Sequence, residues 1–110
     1  MRYLLDKELV MAKYLVTYHG SVAPSDPAML EQVKTAFGQW LQEAGSAVVD
    51  PGAPVRLVKQ VATGTPSAAV DIGGYSIIEA PSLEAAERIL QTHPYVGRGG
   101  TLQVNEVVVL

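Results

Sequence analysis

The chain contains no cysteine among its 110 residues. Disulfide bonds, thiolate nucleophiles, cysteine-ligated zinc and iron–sulfur clusters are therefore excluded. A charged-then-apolar signal region is also missing from the N-terminus, so we expect a cytoplasmic protein. Apolar runs are only a few residues long, whereas a membrane-spanning helix needs about 20 apolar residues. We therefore expect no membrane partner.

Basic residues are scarce as well, with 8 Lys and Arg against 11 Asp and Glu and a net charge of −3. Single positive charges scattered along an acidic chain bind the phosphate groups of a nucleic acid poorly, so we expect no nucleic-acid partner. The two histidines, His19 and His93, have no second ligand three or four residues further on, as a local metal motif would require. We expect neither a metal ion nor a cofactor.

Apolar residues are plentiful: they make up 48% of the chain, while charged residues make up 17%. This balance suits one compact domain with a substantial core. We predict an N-terminal extension over residues 1–11 and a single domain over residues 12–110. Two interpretations of the extension stay open. Either it packs Leu4, Leu5 and Leu9 on the domain, or it is a loose segment.

Periodicity and capping residues predict alternating strands and helices after residue 11. AKYLVTYH (12–19) is rich in β-branched and aromatic residues and is typical of a strand. The sequence predicts an amphipathic helix with Asp26 as its N-cap, Pro27 as its first residue and Gly45 as its C-terminal residue. Phe37 and Trp40 belong to the apolar stripe of this helix. The other predicted elements are strands at 46–50 and 55–62, a return strand at 68–71, a strand at 74–80, a helix from Ser82 to Pro94 and a last strand at 101–110.

This order of elements predicts an α+β, ferredoxin-like (βαββαβ) fold, in which two helices cover one face of a four-stranded antiparallel sheet. The other face would carry apolar side chains from the first strand, from YSII and from the C-terminal VVVL. Because a monomer would expose them, we expect a homodimer whose sheets meet face to face. Phe37 and Trp40 are expected in the core.

The stretch ILQTHPYVGRGG (89–100) holds the most suggestive residues. Its glycines follow a helix and precede a strand, the reverse of a phosphate-binding loop, so they are interpreted as turn residues. His93 is expected in the last helical turn, where the helix dipole favours the protonated form. It is either a plain helix-end residue or a pocket residue. Arg56 and Arg98 are candidate anion contacts, because a guanidinium group binds a carboxylate through two hydrogen bonds.

The C-terminal half, GYSIIEAPSLEAAERILQTHPYVGRGGTLQV, resembles the YCII-related family, which includes the DGPF-type proteins. The shared features are a Gly-aromatic strand ending in an acidic residue, an SLEAA helix start, a DPY-like helix end and a Gly-rich turn. YLVTYH and WLQEAGSAVVDPGAP resemble the first half more loosely, so that the match spans residues 13–108. The resemblance implies a ferredoxin-like dimeric α/β barrel in a bacterial or similar cytoplasm, usually of unknown biochemical role.

The resemblance also implies a cleft with a His/Asp dyad, and this chain departs from it at both positions. Met29, in DPAML, stands where members have the histidine, and His93 stands where they have the aspartate. The ligand-binding candidates are Tyr18, His19, Arg56, Asp71, Tyr95 and Arg98, and His93 is the catalytic candidate. We expect a small-molecule-binding or interaction dimer without the dyad. The alternatives are a lyase, isomerase or cofactor-free acid/base enzyme that uses His93, and a monooxygenase-like protein on the same fold.

Overall fold

The computed structural model describes residues 2–3, 9–20 and 26–110. The strands are β1 (Arg2–Tyr3), β2 (Leu9–Val10), β3 (Ala12–His19), β4 (Val48–Pro54), β5 (Gly74–Ala80) and β6 (Thr101–Glu106). The helices are α1 (Pro27–Ala44), α2 (Leu83–Gln91) and α3 (Pro94–Gly97), with a short 3-10 helix (Gly45–Ala47) after α1. β1 and β2 pair with each other. Leu4 and Leu5, on which one interpretation of the extension depends, lie outside the described residues.

The four longer strands form one antiparallel sheet in the order β4–β5–β3–β6. β3 is central, because it pairs with β5 on one side and with β6 on the other. The protein therefore has an α+β fold, as the sequence predicts. No helix among the described residues is long and apolar enough to cross a membrane.

One face of the sheet forms the core with the helices. Alternate residues of β3 and β5 point to this face, and Val16 and Ile78 are completely buried there. Trp40 of α1 packs against them, and its indole Nε1 donates to the Ile89 carbonyl oxygen of α2, 3.1 Å away. Trp40 is thus the core residue that the helical spacing predicts, whereas Phe37 is only half-buried.

The predicted starts of α1 and α2 and the predicted end of α1 are confirmed. The Asp26 carboxylate accepts a hydrogen bond from a backbone N–H of the first turn of α1, and Pro27 is the first helical residue. Gly45 ends α1 with a positive φ of 58°. The Ser82 hydroxyl accepts a backbone N–H at the start of α2. Short polar side chains satisfy the amide groups that a helix leaves unpaired at its first turn.

The strand that was predicted to end at Asp50 continues through the PGAP stretch, residues 51–54. β4 is an edge strand, so one side of it needs no ladder partner and its two prolines are tolerated. Its pairing with β5 is irregular between Val48 and Ala53. Gly52 lies in this irregular stretch with φ of 77°, and a Cβ there would collide with the Tyr75 carbonyl group. The bulged backbone therefore depends on a residue without a side chain.

Residues 55–73, which we call the arm, replace the predicted strand and return strand. The arm has no regular secondary structure, and every residue from 55 to 71 is exposed. A backbone hydrogen bond from Val55 N to Gly73 O, 3.1 Å long, joins its two ends. The prediction was wrong because the β-branched residues of the arm favour an extended backbone, but a strand also needs a neighbour that supplies ladder hydrogen bonds.

The last strand is shorter than predicted. β6 ends at Glu106, and the four residues after it are exposed. On the face of the sheet away from the helices, Leu15 and Ile77 are half-buried and Lys13 is exposed. This face therefore carries only some of the apolar residues that were expected on it. The prediction that two sheets meet face to face loses part of its basis.

Candidate functional site

A cleft of about 750 Å³ opens beside the core, at the end of the sheet where β3 finishes and β5 begins. Its walls come from the N-terminal half of α1, from β4, from both ends of the arm and from α3. Small-molecule sites in proteins occupy about 300 to 1,000 Å³. The cleft is therefore large enough to hold an organic molecule.

The cleft brings together most of the residues singled out in the sequence: Tyr18, Arg56, Asp71, His93, Tyr95 and Arg98. His19 is not among them. It follows Tyr18 in β3, so its side chain lies on the opposite face of the sheet, where its Nε2 is 2.8 Å from Thr17 Oγ1. Met29, at the position of the family's histidine, is exposed and does not line the cleft either.

His93 occupies a different position from the predicted one. α2 ends at Gln91, and His93 is the residue that caps α3, whose first helical residue is Pro94. The signal was present in the sequence, because a residue before proline avoids helical backbone angles. His93 has an extended backbone with ψ of 131°. The predicted stabilisation of its protonated form by the end of α2 is therefore wrong.

The environment of His93 favours the neutral imidazole. The side chain is only 3% exposed, and its ring centroid lies 4.3 Å from that of Trp40 and 5.6 Å from that of Phe37. Burial, with a smaller contribution from the positive charge of Arg98, lowers the pKa of His93 from 6.5 to about 4. His93 is consequently uncharged at neutral pH.

The hydrogen bonds of His93 fix the position of its one ring proton. Nδ1 accepts the backbone N–H of Tyr95, at a distance of 3.0 Å, and therefore carries no proton itself. The proton is then on Nε2, which donates to the Tyr18 hydroxyl oxygen 2.7 Å away. Both ring nitrogens are thus used in bonds within the protein.

The hydroxyl protons beyond Tyr18 follow from the same reasoning. The Pro51 carbonyl can only accept, so Ser76 Oγ donates to it at 2.7 Å. Ser76 has no second proton, and Tyr18 must therefore donate to Ser76 Oγ, 2.8 Å away. We call this ordered series, His93 to Tyr18 to Ser76 to Pro51, the His93–Pro51 chain. The pKa of the Tyr18 hydroxyl is raised, mainly by burial. This hydroxyl therefore keeps its proton.

Tyr95 and Arg98 form the rim of the cleft beside α3. The Tyr95 hydroxyl donates to the Gly20 carbonyl, which ties this rim to the end of β3. The guanidinium carbon of Arg98 lies 5.6 Å from the centroid of the Tyr95 ring, a distance typical of a cation–π contact. Among the described residues, no group of three His, Asp or Glu side chains is placed to hold a metal ion.

Lys34, Phe37 and Tyr75 also line the cleft, although the sequence did not single them out as site residues. Phe37 shares the apolar stripe of α1 with Trp40, three residues further along. Helical spacing shows which residues share a face, but it does not show where along the helix the sheet ends. The N-terminal half of that stripe was therefore assigned to the core, and it forms a wall of the cleft instead.

Comparison with known proteins gives no family. No protein-family model matches this chain. No curated protein sequence matches it either. The resemblance to the YCII-related family therefore stays a prediction that depends on the motifs quoted above.

Proposed function

We propose that this protein binds a small organic molecule in the cleft and that His93 performs no acid/base chemistry there. The observation that carries the proposal is the His93–Pro51 chain. Because Nδ1 accepts from Tyr95 and Nε2 donates to Tyr18, the ring has no free lone pair with which to take a proton from a substrate. In this proposal His93 shapes the cleft and does not react.

The composition of the cleft supports a binding role. Its walls are mainly aliphatic and aromatic, with a small number of polar groups from separate parts of the chain. This combination is typical of sites that hold an organic ligand by burial and orient it through a few polar contacts. The apolar wall from α1 is formed by Leu30, Val33 and Phe37.

An enzyme that used His93 as a general base is supported less well. A general base works best when its pKa lies near the pH at which the enzyme operates. The pKa of His93 is lowered to about 4, and freeing Nδ1 would break the hydrogen bond that caps α3. We therefore rank the acid/base enzyme behind the binding protein.

The fold and family predicted from the sequence are part of the same proposal. The strand order β4–β5–β3–β6, with α1 and α2 packed on one face, is the order expected of a ferredoxin-like domain. This agreement supports the ferredoxin-like assignment and is compatible with membership of the YCII-related family.

We further propose that the protein is a homodimer in which the arm contacts the second copy. In the arm, Val58 is 81% exposed and Val61 is 94% exposed. A two-fold contact uses the same surface on both copies, so one exposed arm per chain is sufficient.

We expect the wild-type protein to be a dimer at micromolar concentration in size-exclusion chromatography with light scattering. Val58→Lys combined with Val61→Lys should yield monomers, because buried lysines would face each other across the contact. Both positions are exposed, so the fold of the single chain should be unaffected. Val109→Lys, also exposed but outside the arm, is the control. A wild-type monomer would contradict the dimer, and dissociation by Val109→Lys alone would exclude the arm as the contact.

The binding role predicts that members of a library of metabolite acids and aromatic compounds raise the melting temperature of the protein. At a ligand concentration of about 100 times Kd, the stabilisation is about 2.7 kcal/mol. Leu30→Trp should reduce the shift, because Leu30 is an exposed residue that lines the cleft. Leu83→Trp, an exposed helical leucine away from the cleft, should leave it unchanged. If no compound shifts the melting temperature, or if Leu30→Trp has no effect on the shifts, the cleft is not the binding site.

A further inference from the structure

The charges around the cleft differ from those of the whole chain. Lys34, Arg56 and Arg98 line it, whereas Asp71 is the one acidic residue among the described lining residues. The chain as a whole has 8 Lys and Arg against 11 Asp and Glu. An acidic protein has therefore concentrated positive charge at one concave surface, which raises the local concentration of anions.

The two arginines are available to a ligand. Lys34 pairs with Glu31 at 3.6 Å, but in the described part of the chain neither Arg56 nor Arg98 forms an ion pair. Arg56 comes from the start of the arm and Arg98 from the residue after α3, and both line the cleft. A guanidinium group offers a planar pair of donors that matches the two oxygens of a carboxylate.

The hydrogen bonds of Tyr18 in the His93–Pro51 chain place a second requirement on the ligand. Its hydroxyl oxygen accepts from His93 and donates its only proton to Ser76. One lone pair remains on an oxygen of a residue that lines the cleft. Tyr18 can therefore accept a further hydrogen bond but cannot give one. A ligand group that contacts it must be a donor, such as a hydroxyl group or an amine.

We propose that the ligand is a small organic acid with an apolar, ring-sized body, a carboxylate bound by Arg56 and Arg98, and a hydroxyl or amino group that donates to Tyr18. The inference rests on the proposed function, because it names the class of molecule that the cleft binds. Phe37 and Tyr75 supply aromatic walls for the body. Hydroxy acids and amino acids with an aromatic or alicyclic body have this chemistry.

The probes are two hydroxy acids of different length, 4-hydroxybenzoate and 3-(4-hydroxyphenyl)propanoate, measured by isothermal titration calorimetry. Each is compared with its methyl ester, which lacks the charge, and with the acid that lacks the hydroxyl group. The ester should bind about tenfold more weakly or worse, because a hydrogen bond to a charged group is lost. The acid without the hydroxyl group should bind about two- to tenfold more weakly, because Tyr18 then has no donor to accept from.

Protein variants test the same contacts by changing the protein instead of the ligand. Arg56→Gln and Arg98→Gln should each remove most of the preference for the acid over the ester. Arg88→Gln is the matched control, since Arg88 is an exposed arginine of α2 that does not line the cleft. It should keep the full preference. Substitution of Tyr18 is avoided, because it would leave a buried donor on His93 without an acceptor.

The outcomes separate this inference from the proposed function. Equal affinity for acid and ester, absence of binding by both hydroxy acids, or an unchanged preference in both arginine variants would overturn the organic-acid inference. Neutral compounds that stabilise the protein through the cleft would then leave the binding role intact. If no compound of any class binds in the cleft, the proposed function itself is wrong.

Discussion

Replacing His93 by alanine is expected to lower the free energy of unfolding by about 3 to 5 kcal/mol, measured by urea denaturation. The ring is packed among those of Trp40, Phe37 and Tyr18, so its removal leaves a cavity in a closely packed aromatic cluster. It also removes the acceptor that caps α3, a loss of about 1 kcal/mol in other helices.

The control for this substitution is Gln91→Ala, two residues earlier in the chain. Gln91 is the exposed last residue of α2, so its truncation should change the free energy of unfolding by no more than about 0.5 kcal/mol. If the two variants are equally stable, His93 is an ordinary residue at a helix end, and the hydrogen bonds assigned to it contribute little.

Stability is also expected to fall as the pH is lowered from 7 to 4, by about 2 to 3 kcal/mol through His93 alone. The pKa of His93 is about 4 in the folded protein, whereas the ordinary pKa of a histidine, which applies to the unfolded chain, is 6.5. Between these values the unfolded chain binds a proton that the folded chain does not. The stabilising contribution is therefore complete above about pH 6.5 and is lost as the pH falls toward 4.

The comparison that isolates this effect is with His93→Phe, which fills the space with a ring that does not titrate. Every other residue is the same in the two proteins, so the difference between the two stability–pH curves reports His93. The wild-type curve should fall more steeply below pH 6.5. Parallel curves would mean that His93 is not held in its neutral form, and the assigned proton positions would have to be abandoned.

The sequence predicts β3 and β5 well because strands with regular alternation carry their own signal. Residues 12–19 and 74–80 are strands in the structure with the predicted bounds. The starts of α1 and α2 were equally clear, because the capping of a helix by residues such as Asp26 and Ser82 depends on neighbouring residues only. Local chemistry therefore determines where these elements begin.

Features that depend on distant parts of the chain could not be predicted in this way. PGAP lies in a strand because β4 is at the edge of the sheet, and sequence alone does not give the position of a strand within a sheet. The arm was predicted as strands because nothing local reveals that a pairing partner is missing. The grouping of Tyr18, Arg56 and His93 in one cleft likewise depends on the way the sheet and helices pack.

The His93–Pro51 chain determines how much of the protein has to become ordered when a ligand arrives. It links α3, β3, β5 and β4, so the innermost side chains of the cleft are held in single rotamers before anything binds. Exposed side chains at the rim, such as those of Arg56 and Arg98, have conformational freedom to lose, and each such side chain costs about 0.5 to 1.5 kcal/mol on immobilisation. The cleft thus combines a preorganised floor with an adaptable rim, and affinity differences between ligands should arise mainly at the rim.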